Sequence, residues 1–298
     1  MQIETLKAFC DLVETGSFTR AAELNFVSQS AVSQQLRTLE RRFEQKLIER
    51  GGGLGAEPTA AGRLVYAESK TILARLRALE EQLREPTGAM SGTVRVATVY
   101  SVGLHALPPH VKEFLREHPQ VQIQVEYSRT DRVVEACLAG DIDLGIVAFP
   151  TRRPKLEVIA LRDEELVLVV SPEHRLARRT TTPLAALRGK AFVAFDRSVP
   201  TRRYIDRALR RHAVQVRITT EFDNIETIKR SVEAGLGVSI VPTDTVKNEV
   251  RAGTLVALNI TDERLTRPVG MIHLRRRELS APARAFANLL VRQMGERT

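Results

Sequence analysis

The chain has 298 residues, with 45 Lys and Arg against 36 Asp and Glu, a net charge of +9. That length calls for two or three domains and can bury a large core without disulfides. The two cysteines, Cys10 and Cys137, sit in helical apolar patterns and read as buried free thiols of a reducing compartment, with a redox switch between them as the alternative. No stretch reaches the ~18 apolar residues of a membrane span, and MQIETLKAFC lacks the apolar run of a secretory signal, so a cytoplasmic protein with no membrane partner is expected.

Residues 4–15 read as a first helix, with Leu6, Phe9, Cys10 and Val13 on one face and Gly16 as its left-handed stop. SFTRAAELNFVSQSAVSQQL (17–36) then reads as two short helices around a tight turn. Ser17 caps the first, which carries Phe18, Ala21, Ala22 and Leu24 on its apolar side; Ser28 caps the second. There Val32, Leu36, Leu39 and Phe43 recur at helical spacing as a buried stripe. Gln29, Ser30, Ser33, Gln34 and Arg37 fall on the opposite face, where such side chains can bond base edges and phosphates in a major groove. An ordinary helical hairpin has the same pattern. The preceding helix, and a Gly-rich hairpin-like loop from Leu47 (LIERGGGLGAEPTAAG), favour a winged helix-turn-helix, domain 1–58. Net charge is no argument for it: residues 1–86 carry twelve residues of each sign, so the whole surplus lies beyond them. Arg37 and Arg50 are the expected phosphate contacts, and several of the neighbouring charges (Arg41, Arg42, Lys46 with Glu40, Glu44, Glu49) fit an ion-paired solvated face.

Residues 60–85, within a linker and dimerisation segment 59–86, read as one long helix capped by Thr59. Val65, Ile72 and Leu79 are spaced by seven, and Ser69, Leu76 and Leu83 interleave with them, an a/d seam over about three heptads. The partner expected for Val65, Ile72, Leu76, Leu79 and Leu83 is the same helix of a second chain, giving a two-fold dimer for a pseudo-palindromic operator. The alternative is packing onto the chain's own C-terminal domain. Pro86 and the small residues after it predict a hinge over 87–91.

From Thr93 onward strands alternate with helices. The strands are expected at 93–99, 121–127, 144–149, 165–171, 191–195, 216–222, 237–242 and 268–274, with a last helix at 281–294. That alternation argues an α/β fold with mostly parallel strands. Ligands of such folds bind beyond the carboxyl ends of the strands. The loops there supply Tyr100, Ser101 and Val102; Ser128 and Thr130; Ser198, Thr201 and Arg202; and Asn224 as candidate effector ligands, suited to a small anion. Residues 196–217 hold seven arginines against Asp196 and Asp206. Most read as a solvated helix face; Arg202, in the first turn beside Thr201, is the exception expected to bind. Catalysis finds little support. Gly235-Leu236-Gly237 lacks the third glycine of a dinucleotide fingerprint. His105, His110 and His118 have no second ligand set for a metal, and no GxSxG occurs. No cofactor and no enzymatic activity are expected.

The stretch ETLKAFCDLVETGSFTRAAELNFVSQSAVSQQLRTLERRFEQKLIER, followed by PTAAG, resembles the N-terminal domain of LysR-type transcriptional regulators in register from Met1 to about Glu85. Two departures stand out: Leu47-Ile48 replaces the usual Leu-Phe before the wing arginine, and the wing GGGLGAE is richer in glycine and poorer in basic residues. The resemblance extends to the second half. It implies a two-lobed, periplasmic-binding-protein-like effector domain, with lobe 1 at 92–162 and 268–298, lobe 2 at 163–267, and hinges near Phe149–Arg162 and Thr266–Pro268. It also implies operator DNA as partner, a homodimer assembling to a homotetramer, an effector between the lobes, a nucleoid location and contact with RNA polymerase. The alternatives are a solute-binding or sensor protein whose DNA contact is secondary, a transport receptor, or an enzyme.

Overall fold

The computed structural model describes residues 2–51, 55–83, 90–275 and 277–295; at residues 50, 51, 77, 78 and 81–83 the backbone alone is described. The chain forms two compact units that divide near residue 87. The wing tip at 52–54 and most of the expected hinge (87–89) lie outside the described residues.

The first unit opens with α1 (Ile3–Thr15), α2 (Phe18–Leu24) and α3 (Gln29–Phe43). Gly16 stops α1 in the left-handed region at φ 63°, donating its N–H to the Leu12 carbonyl. Ser17 caps α2 by accepting from the Arg20 N–H, and Ser28 caps α3 by accepting from the Ala31 N–H. Asn25 fixes the turn between the helices: its Nδ2 donates to Asp11 Oδ2 at 2.7 Å and to the Ala21 carbonyl at 2.8 Å. An antiparallel wing follows, β1 (Ile48–Gly51) with β2 (Gly55–Pro58), Arg50 opposite Ala56. The core is Leu6, Phe9, Leu12, Ala21, Ala22, Val32, Leu36, Leu39 and Leu47. Phe43 departs from the expected stripe: it is 39 % exposed at the last position of α3, where the helix end lies beyond the buried face.

The linker helix α4 (Ala60–Leu83) begins where Thr59 Oγ1 accepts from the Gly62 N–H at 2.9 Å and donates to the Lys46 carbonyl at 2.6 Å. Its first turns are tied to α1, Tyr66 and Lys70 both donating to Glu14 Oε1 at 3.0 and 2.7 Å.

The second unit contains, in chain order, β3 (Gly92–Thr98), α5 (Tyr100–Gly103), α6 (Leu107–Glu117), β4 (Val121–Tyr127), α7 (Thr130–Ala139), β5 (Leu144–Ala148) and β6 (Leu156–Val170). There follow β7 (Thr181–Thr182), β8 (Ala191–Phe195), α8 (Pro200–Arg211), β9 (Arg217–Phe222), α9 (Ile225–Glu233) and β10 (Ser239–Pro242). It ends with α10 (Lys247–Ala252), β11 (Val256–Ile260), β12 (Thr266–Leu274) and α11 (Ala281–Met294). The principal sheet runs β4-β3-β5-β12-β6-β11-β7, with β10 also on β6. Two cores separate along it. One gathers Val94, Val96, Phe114, Leu144, Ile146, Leu161, Met271 and Phe286. The other gathers Leu168, Phe192, Val193, Ile205, Leu209, Ile228, Val232 and Ile240.

The expectation of mostly parallel strands fails in the middle of the sheet. β3 is parallel to β4 and β5, and β8 to β9, but β12 is antiparallel to both β5 and β6, and β10 and β11 are antiparallel to β6. The cause is the 15-residue strand β6, which runs from one lobe's core into the other's and is accompanied by the returning strand β12. The expected hinge over 149–162 is therefore partly continuous β-ribbon. Its irregularities are the shift in β12 at Val269/Gly270 and Phe149, at φ 53°. Cys10 and Cys137 are buried free thiols, and burial pushes both up to about 12.

Candidate DNA-recognition face and effector cleft

A buried stripe at Val32, Leu36 and Leu39 turns the other side of α3 outward. Gln29, Ser30, Gln34 and Arg37 are exposed there, and Ser33 is half-buried. Gln29 Nε2 donates to Ser33 Oγ at 3.3 Å, and the Ser28 and Ser30 hydroxyls lie 2.8 Å apart. These contacts pre-orient short polar groups at the start of the helix, the end that reads base edges in a helix-turn-helix. Of the charges expected to pair on this surface, Lys46 meets Glu40 at 3.3 Å. Arg37, Arg41 and Arg42 have no carboxylate partner among the described residues, which leaves them open to phosphate. The Arg50 side chain lies outside the described residues. Phe26 precedes the helix at φ 54° and is 95 % exposed.

On α4, Ile72 and Leu79 are 44 % and 51 % exposed, and Leu76 is half-buried. Leu83 falls where the backbone alone is described. Val65 packs against the winged-helix core, so its side chain serves its own domain first. A heptad count cannot separate a helix's first turns, which dock on their own domain, from later turns that do not.

In the second unit, a small cavity is lined by Val99, Tyr100, Ser101, Ser128, Arg129, Thr130, Ser198, Thr201 and Arg267, with Phe195, Asp223 and Ile225. The carboxyl ends of β3, β4, β8 and β9 carry most of these residues to one place. Six of the nine expected effector ligands meet there: Tyr100, Ser101, Ser128, Thr130, Ser198 and Thr201.

The other three do not. Val102 is wholly buried in the lobe core, as a valine on a one-turn helix that packs on the sheet must be. Asn224 caps α9, its Oδ1 accepting from the Glu226 N–H at 2.8 Å. Arg202 is 5 % exposed and bonded inward: Nε donates to Asp206 at 2.9 Å, and Nη1 donates to Glu221 at 2.8 Å and to the Phe195 carbonyl at 2.6 Å. Its guanidinium ties α8 to β8 and β9 and is not among the residues that line the cavity. A first-turn position does not show which way a side chain turns, and the acid four residues on, Asp206, was the signal that it turns inward.

Arg267, which the sequence did not single out, lines the cavity. It is 2 % exposed; Nε and Nη2 donate to Glu164 Oε2 at 2.7 and 2.5 Å, and Nη2 donates to Ser101 Oγ at 2.9 Å. No hydrogen bond within the described residues uses Nη1, and Arg267 is one of the residues that line the cavity. Because Ser101 Oγ accepts from Arg267, its own proton is free to donate onward. Ser198 differs: its hydroxyl and N–H both donate to Asp196, at 2.5 and 2.8 Å, holding that carboxyl below its usual range and leaving Ser198 an acceptor. The one available clue to Arg267 was a lone cation beginning the apolar strand TRPVGMIHL.

The lobes also meet through His105 and Glu226, 2.7 Å apart, with Lys229 3.0 Å from the same oxygen. Burial alone would raise the Glu226 carboxyl, but the bonds from Lys229 and His105 outweigh it and hold it low.

A winged helix-turn-helix whose recognition face is polar, joined to a two-lobed domain with a hydroxyl-lined cavity, defines a ligand-responsive DNA-binding regulator. Residues 3–63 match the family model of the bacterial regulatory helix-turn-helix proteins of the lysR family, and residues 87–295 match the LysR substrate binding domain. The chain belongs to the LysR family of transcriptional regulators. It is 29 % identical over 293 residues to the RuBisCO operon transcriptional regulator of Allochromatium vinosum, covering 98 % of this chain and 96 % of that one. Among solved structures, full-length CbnR complexed with its target DNA superposes with a TM-score of 0.71 at 25 % identity, covering 99 % of this chain and 100 % of CbnR. The regulatory domain of CcmR from Synechocystis PCC6803, solved in complex with 2-PG, gives 0.64 at 24 % identity over 70 % of this chain and 99 % of that domain. Among the described residues no helix is long and apolar enough to cross a membrane.

Proposed function

We propose that the cavity between the lobes is the effector site and that its ligand is a small anion: an organic acid, a phosphorylated metabolite or an inorganic oxyanion. The observation that carries this reading is Arg267, a buried guanidinium that lines the cavity, bonded to Glu164 and Ser101 through Nε and Nη2 and with Nη1 in no hydrogen bond among the described residues. The Ser101 hydroxyl, and those of Ser128 and Thr130, which have no partner among the described residues, add neutral donors around the same point. The 2-PG bound to the CcmR regulatory domain supports a small ligand in this architecture.

In this reading the ligand changes how the lobes sit about the β6–β12 ribbon, and it acts only as far as it prefers one arrangement. Gln29, Ser30, Ser33 and Gln34 read bases, while Arg37 and Arg50 hold phosphates. The exposed Ile72 and Leu79, with Leu76, pair two α4 helices into a dimer, and effector domains join dimers into a tetramer that works with RNA polymerase in the cytoplasm, at the nucleoid. The chain is read as non-enzymatic.

The test is calorimetry of the full chain with a panel of carboxylates, phosphoesters and oxyanions. A ligand of the wild type is expected to bind at least tenfold more weakly to Ser128→Ala and Thr130→Val, and to alter retardation of the DNA beside the chain's own coding region. Equal binding by both variants would overturn the site assignment.

A further inference from the structure

Beside the effector cavity lies a second, more open cleft of about 1200 Å³. α7 and the segment after β5 form one wall and α8 the other. Arg203, Arg207 and Arg210 face it from α8, at the four- and three-residue steps that share a helix face, and Arg153 faces it from the opposite wall.

None of these four guanidiniums has a carboxylate partner among the described residues. The two acids that border the cleft are already engaged: Asp131 bonds Arg129 at 3.1 Å and Asp206 bonds Arg202 at 2.9 Å. The apolar side of α8 needs only Ile205, Ala208 and Leu209 in the core. Nothing in that packing asks for arginine at all three outward positions, and like charges at these spacings destabilise a helix. Arginine's planar fork matches phosphoryl oxygens two at a time, which lysine's point charge does not. Two such groups satisfy four guanidiniums. Three of the arginines share one face of α8 and Arg153 stands on the other wall, so the four flank a cleft, a geometry that suits a compact ligand held between them.

We propose that this arginine cleft is a second ligand site, for a small molecule carrying two or more phosphoryl groups. It is separate from the effector cavity, although Thr130, Ser198 and Pro200 wall both. Because Arg153 belongs to one lobe and α8 to the other, a ligand there links the lobes directly and adds to, or opposes, the effector's preference for one arrangement.

The experiment is calorimetry of the full chain with inorganic pyrophosphate and with inorganic phosphate at fixed ionic strength. Pyrophosphate is expected to bind at least tenfold more tightly than phosphate. Arg203→Gln/Arg207→Gln should lose at least tenfold in pyrophosphate affinity, while Ser128→Ala, in the other cavity, keeps it. The replaced side chains are exposed, so an unchanged melting temperature confirms that the variant is folded. Pyrophosphate binding no tighter than phosphate, or equal in the double arginine variant, overturns the proposal. So does loss of pyrophosphate binding in Ser128→Ala, which places the ligand in the effector cavity instead. If pyrophosphate does not bind and the arginine variant loses DNA affinity, the face is a nucleic-acid surface and the proposal fails.

Discussion

Replacing Arg267 by Met tests the buried network under the effector cavity. Arg267 and Glu164 are 2 % and 6 % exposed and share two hydrogen bonds. Removing one partner of a buried pair costs about 3–5 kcal/mol, because a charge is left without its counterion. Glu164 keeps a second partner, Arg162 at 2.6 Å, itself shared with Asp244 at 2.9 Å, so the low end, about 3 kcal/mol, is expected. For a unit of this size that corresponds to a fall of about 6–12 °C in the melting temperature. Scanning calorimetry of the full chain measures it as a shift of the effector-domain transition. The cause is isolated by adding Glu164→Gln: with the stranded charge removed, the double variant should recover at least about 1 kcal/mol relative to the sum of the single losses. A single loss below about 1 kcal/mol, or strict additivity, would refute the argument that Arg267 is held by charge burial.

Gly62→Ala inverts a general rule. Alanine in a helix is favoured over glycine by about 1 kcal/mol, yet a Cβ at Gly62 would lie 2.0 Å from the Leu47 carbonyl oxygen. The substitution should lower the melting temperature of the winged-helix unit; an unchanged or raised value contradicts the close approach of α4 to the start of the wing. A further prediction concerns acid. The Glu226 carboxyl is held below its usual range, so its contribution is complete above the unfolded-state value near pH 4.3 and is lost as pH falls through the lower folded-state value. Wild type should exceed Glu226→Gln in melting temperature at about pH 6 and lose that advantage below about pH 4; a gap constant across the range would sink the interlobe role of this carboxylate.

The helix-turn-helix was legible because its signals are local. Ser17, Gly16 and Ser28 act within a turn of themselves, and a 3.6-residue period shows which face of α3 is buried. The loops forming the cavity were legible for the same reason, since strand ends place Ser101, Ser128 and Ser198 whatever their partners. What was not legible depends on pairs distant in sequence. Arg267 is decided by Glu164 and Ser101, more than a hundred residues away, whereas Arg202 has a local signal in Asp206 that Glu221 and the Phe195 carbonyl complete. The antiparallel ribbon is not legible at 156–164 because LEVIALRDE lacks the period-two alternation of a half-buried strand, β6 passing from one core into the other. Val65 was placed in a dimer seam because a heptad does not say which turns its own domain covers.

In the proposed function, the outer face of α3 reads DNA sequence. Fluorescence anisotropy of the full chain on the DNA beside its coding region, against an unrelated duplex at the same salt, measures this. Gln29→Ala and Gln34→Ala should each cost about 1–3 kcal/mol on the specific duplex and almost nothing on the unrelated one, whereas Arg37→Ala should weaken both and flatten the salt dependence. If both glutamine variants keep the wild-type preference for the specific duplex, recognition lies elsewhere and the account is contradicted.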